Sequence, residues 1–266
     1  MIVDSYFHPV LLAATAGGAG CGLLGVYVVG MRIPFIGVFI SHAAMAGAVL
    51  GVIAGWPPLF SALALSMISA AAIAAASPRR SFEQADMVMS AAFSFMMGLT
   101  FLGIGLSPNA RTPMLDLLWG SVLFVSWPQA VAVCATSLGV LVIAALFDKE
   151  LRAMLHSRAL AAASGIHEGF VWCVFLSVTA GMIAININLV GGLMLFSLIT
   201  CPAAAAYQIC HGYVRTTVTA ALLGAVSGAG GFLISYAAEA PVGACICMLA
   251  CAILGVAACI KKLRHE

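Results

Sequence analysis

Nine stretches of mostly apolar residues dominate this chain, at about 9–30, 35–55, 57–76, 86–107, 127–147, 169–189, 190–210, 214–236 and 241–260. A helix needs about 20 such residues to cross the roughly 30 Å hydrocarbon layer of a bilayer. None of the nine carries a polar face at helical period, as a helix packed on a water-soluble core does. Backbone groups within lipid must find partners inside the same segment or inside a closed barrel, and stretches of this length specify helices. Of 266 residues, 64% are hydrophobic and only 8% charged, against roughly a quarter charged in a soluble domain. The sequence therefore predicts an all-α, polytopic transmembrane bundle of about nine spans, with eight as the other count. A shorter apolar piece at 114–125 reads either as a re-entrant half-helix or as an outer loop. No linker, low-complexity tract or internal repeat divides residues 1–266, so a single transmembrane domain is expected.

The basic residues give the bundle a direction. They are Arg32, Arg79, Arg80, Arg111, Lys149, Arg152, Arg158, Arg215, Lys261, Lys262 and Arg264. With the N-terminus outside, nine spans place all of these but Arg111 on the cytoplasmic side. That asymmetry is what the positive-inside rule expects, and it puts the C-terminus in the cytoplasm. The N-terminus lacks the basic segment, short apolar run and small-residue cleavage site of a removable signal, so the first stretch is expected to be retained.

Glycines at four-residue spacing, Gly18 and Gly22, Gly47, Gly51 and Gly55, Gly224 and Gly228, suit close helix approach in lipid. Packing within the subunit is the favoured use, and a dimer interface the alternative. The nine cysteines fall almost entirely inside apolar runs, without a CxxC pair. Cys247 and Cys251 are four apart on one helix, a ligand-like spacing, but cysteine in such surroundings more often serves as a small hydrophobe.

Against so apolar a background the polar exceptions carry the information. Ionisable groups deep in a span are default functional candidates because they are costly there. Other than cysteine, one titratable residue lies well inside a span, and it is His42. Neutral imidazole is a metal ligand and a proton carrier, and a histidine that only hydrogen-bonds a neighbouring helix is the competing reading. Val38, Met45 and Ala46 share its helix face. A second exception is Asn186, Asn188, Gly191 and Gly192 at an expected break between two spans, followed by Cys201 and Pro202. Broken helices line cavities in some transporters; an ordinary outer turn followed by a proline kink is the plain alternative.

The longest polar stretch is 148–168. Its helical spacing puts Leu151, Met154, Leu155, Arg158 and Ala159 on one face, with Lys149, Arg152 and His156 elsewhere. Asp148 is placed to start this helix and Gly165 to end it. Such an amphipathic segment lies passively in the membrane interface, anchors to anionic lipid, or docks a cytoplasmic partner.

Several chemistries are excluded. The three lysines, Lys149, Lys261 and Lys262, follow no GxxxxGK[ST] loop, so this chain does not hold ATP in that manner. HExxH and GxSxG are absent, and no pair of acids sits inside a span. What survives is transport, either driven by a separate energy source or needing none. Nothing points to nucleic acid.

Three segments carry a resemblance. MRIPFIGVFISHAAMAGAVLG is similar to the Arg-x-x-x-x-Gly-Asp-x-x-[Ser/Ala]-His segment of the membrane subunits of zinc, manganese and iron importers among the ATP-binding-cassette transporters. LVGGLMLFSLITCPAAAAYQI resembles that family's Val-Gly-x-Leu-Leu…Pro-Ala-Ala-x-Ala segment. TPMLDLLWGSVLFVSWPQ lies between them and resembles its leucine-rich piece ending in Phe-Gly-Asp. Order and spacing agree over essentially the whole chain.

The resemblance implies a permease of the bacterial cytoplasmic (inner) membrane that works by alternating access. It implies a second permease copy as a homodimer, a cytoplasmic ATP-binding subunit that hydrolyses ATP, and an outer protein that delivers the metal. The chain itself would be no enzyme and hold no cofactor. The helix at about 148–165, with Asp148, Glu150, Arg152, Leu155 and Gly165, becomes the expected coupling segment to the ATPase. The family's aspartate four residues before the histidine is Val38 here, and its second aspartate is Ser121. Losing two carboxylates favours soft ligands, so His42, Met45 and Cys201 form the expected metal path and zinc is favoured over manganese or iron. A metal–chelate or other small solute is the near alternative cargo. A stand-alone secondary carrier is the rival class, and it lacks the buried carboxylate that such coupling commonly uses.

Overall fold

The computed structural model describes residues 7–76, 82–106 and 125–265. All regular elements among them are helices: α1 (Phe7–Gly30), α2 (Phe35–Ala54), α3 (Pro58–Ala76), α4 (Phe82–Leu106), α5 (Trp127–Leu146), α6 (Asp148–His156), α7 (Arg158–Ala163), α8 (Glu168–Val190), α9 (Gly192–Ile209), α10 (Tyr213–Ala238) and α11 (Val242–His265). Each of the nine apolar stretches is thus a helix. Eight are long and apolar enough to span a membrane, and α9 is the exception, with a shorter apolar part at Leu195–Ile209. At 1.5 Å per residue the 18 residues of α9 reach about 27 Å, just short of the hydrocarbon thickness. Ser121 and all but the last residue of the apolar piece at 114–125 lie outside the described residues.

Helix α1 is the hub. It is apolar on all sides, as a helix surrounded by protein must be, and it packs against α10, α9, α5 and α8. Its closest neighbour is α10, and glycines make that approach possible. A methyl group on Gly18 would strike the carbonyl of Gly224, and one on Gly224 would strike that of Gly18. Gly22 and Gly228 meet the carbonyls of Ala220 and Ala14 in the same way. Gly47 lies against Ser61 and Ala62 of α3. The four-residue glycine spacing is therefore used within the chain, while Gly55 closes α2 in the left-handed conformation at φ 71°.

Helix α4 packs almost wholly on α2, leaving its other flank exposed, with Met87, Phe95, Phe101 and Leu106 more than half uncovered. Large apolar side chains facing outward are expected where lipid, not water, is the solvent. The expected break near Asn186–Gly192 is a single residue, Gly191 (φ 86°, ψ 145°), between α8 and α9. Asn186 itself lies inside α8, fully buried.

The polar stretch after α5 forms two helices where one is expected. Ser157 adopts an extended conformation (φ −168°, ψ 126°) at the end of α6. Its carbonyl then accepts the Ala161 N–H at 3.0 Å as the first bond of α7. Serine is a favoured residue at such a helix start, so the interruption has a local cause. Phe147, not Asp148, precedes the first turn of α6. Gly165, at φ 81°, ends the segment as its sequence position suggests.

Candidate functional site: a buried histidine and a surface helix

His42 is the eighth residue of α2, on a face that the helix turns inward, and it is 2% exposed. Its Nδ1 lies 2.9 Å from the carbonyl oxygen of Val38, one turn earlier. A carbonyl only accepts, so this bond puts the proton on Nδ1 and leaves the lone pair on Nε2. Nε2 is buried and has no hydrogen-bond partner among the described residues. The ring of Phe93 from α4 closes the site edge-to-face, 4.7 Å between centroids, and Phe93 is itself braced by Phe35 at 5.5 Å. A neutral imidazole bonded in this way presents the Nε2 lone pair, the form in which imidazole binds metal.

Val38 meets His42 through its backbone carbonyl. An aspartate there would stand one turn away on the same face. Met45 is 1% exposed, and its thioether lies against Gly192 at the start of α9, where a methyl group would collide with it. It packs with Ala44, Ala48, Val49, Ala184 and Ile187. His42 therefore turns toward α4 while Met45 turns toward α9. Cys201 departs further, with its Sγ 3.9 Å from that of Cys251 on α11. Among the described residues, no group of three or more His, Cys, Asp or Glu is arranged to hold a metal ion.

The second candidate region is α6. Its apolar face is inserted into the bundle through Leu151 and Met154, both 1% exposed. Arg152 makes a two-pronged contact with Asp148, Nη2–Oδ2 at 2.9 Å and Nε–Oδ1 at 3.0 Å. Its guanidinium also lies 4.1 Å over the ring of Tyr213 on α10. The Tyr213 hydroxyl meets that of Tyr27 on α1 at 2.5 Å. Leu155 reaches Gly30, beside Tyr207, whose hydroxyl donates to the Val26 carbonyl at 2.9 Å. Arg152, Leu155, His156, Tyr207, His211 and Tyr213 line a cleft of ≈ 460 Å³ between α6 and these helices. Glu150 is half-buried, and Lys149 is exposed. Sequence reasoning missed the three tyrosines; their rarity (five in 266 residues) and their places near helix ends were the available signal.

Comparison with known proteins now decides the family. Residues 3–261 match the ABC 3 transport family. The chain belongs to the ABC 3 transport family. It is similar to the high-affinity zinc uptake system membrane protein ZnuB of Haemophilus influenzae, 25% identical over 96% of this chain and 97% of that protein. It is also similar to the manganese transport system membrane protein MntC of Halalkalibacterium halodurans, 26% identical over 95% of this chain and 86% of that protein. Among solved structures it shares the fold of a chain of PsaBC from Streptococcus pneumoniae in complex with Fab. That match has a TM-score of 0.84 and 21% identity, over 96% of this chain and 91% of the other. The family resemblance is borne out, and this member of the family is a multi-pass bacterial membrane protein.

Proposed function

We propose that this chain is the permease subunit of an ATP-driven importer that moves a divalent transition metal, zinc in preference to manganese or iron, inward by alternating access. The observation that carries the reading is His42: a buried imidazole whose Nε2 has no hydrogen-bond partner among the described residues. Leaving such a group unsatisfied costs about 1–3 kcal/mol, a cost that makes sense where a cation visits. The relatives include membrane proteins of zinc and manganese uptake systems, and the family position supports a metal cargo. Imidazole, with an uncharged Val38 where a carboxylate would be hard and anionic, suits zinc better than manganese. One imidazole binds weakly enough to release its ion, as passage requires.

In this reading two copies of the chain enclose the path, the N-terminus lies outside, and the α6–α7 end faces the cytoplasm. The separate ATP-binding subunit docks on that end. Asp148, Glu150, Arg152, Leu155 and Gly165 shape the docking surface, and movement there is passed through Arg152 and Tyr213 to α10 and α1. A binding protein outside delivers the ion.

The test is uptake into liposomes holding the permease, its ATP-binding subunit and loaded binding protein, with zinc, manganese, iron and a metal chelate compared. Zinc should be taken up fastest, only with ATP, and His42→Ala should abolish it. Uptake by the permease alone would establish a secondary carrier, and undiminished zinc uptake by His42→Ala would remove the histidine from the path.

A further inference from the structure

Cys201 does not join His42; it belongs to a sulfur cluster on the seam between α9 and α11. Cys201 Sγ and Cys251 Sγ are 3.9 Å apart. Cys247, one helical turn before Cys251, hydrogen-bonds the Ser197 hydroxyl at 3.1 Å. Ser197 is in turn one helical turn before Cys201 on α9. Two side chains of each helix thus face each other across the seam, three of the four being thiols. Cys251 is exposed, and Cys201 and Cys247 are half-buried, so the cluster opens to the outer surface of the bundle.

We propose that Cys201 and Cys251 form a two-thiol binding site for a soft divalent cation. Geometry argues for it first. Two thiolates on one tetrahedral ion, at a metal–sulfur distance of about 2.3 Å, stand about 3.8 Å apart. The observed separation meets that requirement without moving either helix. Charge argues for it second. Binding follows M²⁺ + 2 RSH → M(SR)₂ + 2 H⁺, with both protons passing to water. The product is neutral, which an apolar seam tolerates where a bare cation would be expensive. Ligand type argues third, because thiolates select zinc, cadmium and cuprous copper over magnesium, calcium or manganese. The site is independent of the His42 reading: it stands on other helices and holds its ion by other atoms.

The experiment uses the purified full chain in detergent under a phosphine reductant, titrated with cadmium alone. Thiolate-to-cadmium absorbance and proton release are followed in the wild type and in Cys201→Ser, Cys251→Ser, Cys134→Ser and His42→Ala. Cys201→Ser and Cys251→Ser should each lose the tightest-bound cadmium, while Cys134→Ser and His42→Ala keep it. Unchanged binding in both of the first two variants overturns the site. Should either serine variant fold poorly, X-ray absorption of cadmium bound to the wild type decides: two sulfur neighbours support the site, and none overturns it.

Discussion

The guanidinium of Arg152 lies 4.1 Å above the ring of Tyr213, joining the surface helix α6 to the end of the membrane helix α10. The same guanidinium grips Asp148 one turn back, and Tyr213 meets Tyr27 of α1. Arginine can serve all these contacts because its planar group stacks and forks at once, which a lysine ammonium does not.

Replacing Arg152 by lysine keeps the charge and removes both the stack and the fork. A half-exposed cation–π contact contributes about 0.5–1 kcal/mol, so the thermal midpoint should fall only slightly. On the proposed function, in which α6 passes movement to α10 through this contact, zinc moved per ATP hydrolysed should fall much more. Measuring both quantities on one preparation checks this, and a loss of stability equal to the loss of coupling refutes it.

Gly224 and Gly98 make a matched pair. A methyl group at Gly224 collides with the Gly18 carbonyl, whereas one at Gly98 meets nothing within 4 Å. Gly224→Ala should destabilise the fold by about 1–3 kcal/mol as α1 and α10 part. Gly98→Ala should be neutral or stabilising by up to about 1 kcal/mol through helix propensity. Thermal unfolding in detergent reads the difference.

Phe93 covers His42 edge-on. Phe93→Ala should open the imidazole to water, and acylation of His42 by diethylpyrocarbonate, followed by mass spectrometry, should accelerate several-fold. Equal rates in the two proteins would mean that α4 does not seal the histidine.

Val38→Asp restores a carboxylate one turn from His42. A charge at membrane depth costs about 2.5–3.5 kcal/mol on insertion scales, so the variant should be less stable without metal and recover in its presence. A harder ligand pair should also move preference from zinc toward manganese. Competition between the two ions during uptake measures that shift.

The helices, the isolation of His42 and the glycine faces were legible before any coordinates, while the neighbours of those residues were not. Met45 shares a helix face with His42, yet its sulfur lies against Gly192 while the imidazole lies against Phe93. Which helix fills each side of α2 depends on segments far away along the chain. The split at Ser157 was missed for a smaller reason: an amphipathic period running through it outweighed a single serine able to start a new helix.

By itself the sequence determined the membrane class, the helices and the position of His42 deep in a span. These are local matters, because a span must satisfy its own backbone within its own 20 or so residues. Tertiary structure alone decided that Cys201 meets Cys251, 50 positions away, and that α6 is tied to α10 through Arg152. Such pairings depend on the rotation and depth of whole helices, and small residues such as Gly18 and Gly224 set those by how closely two backbones can approach.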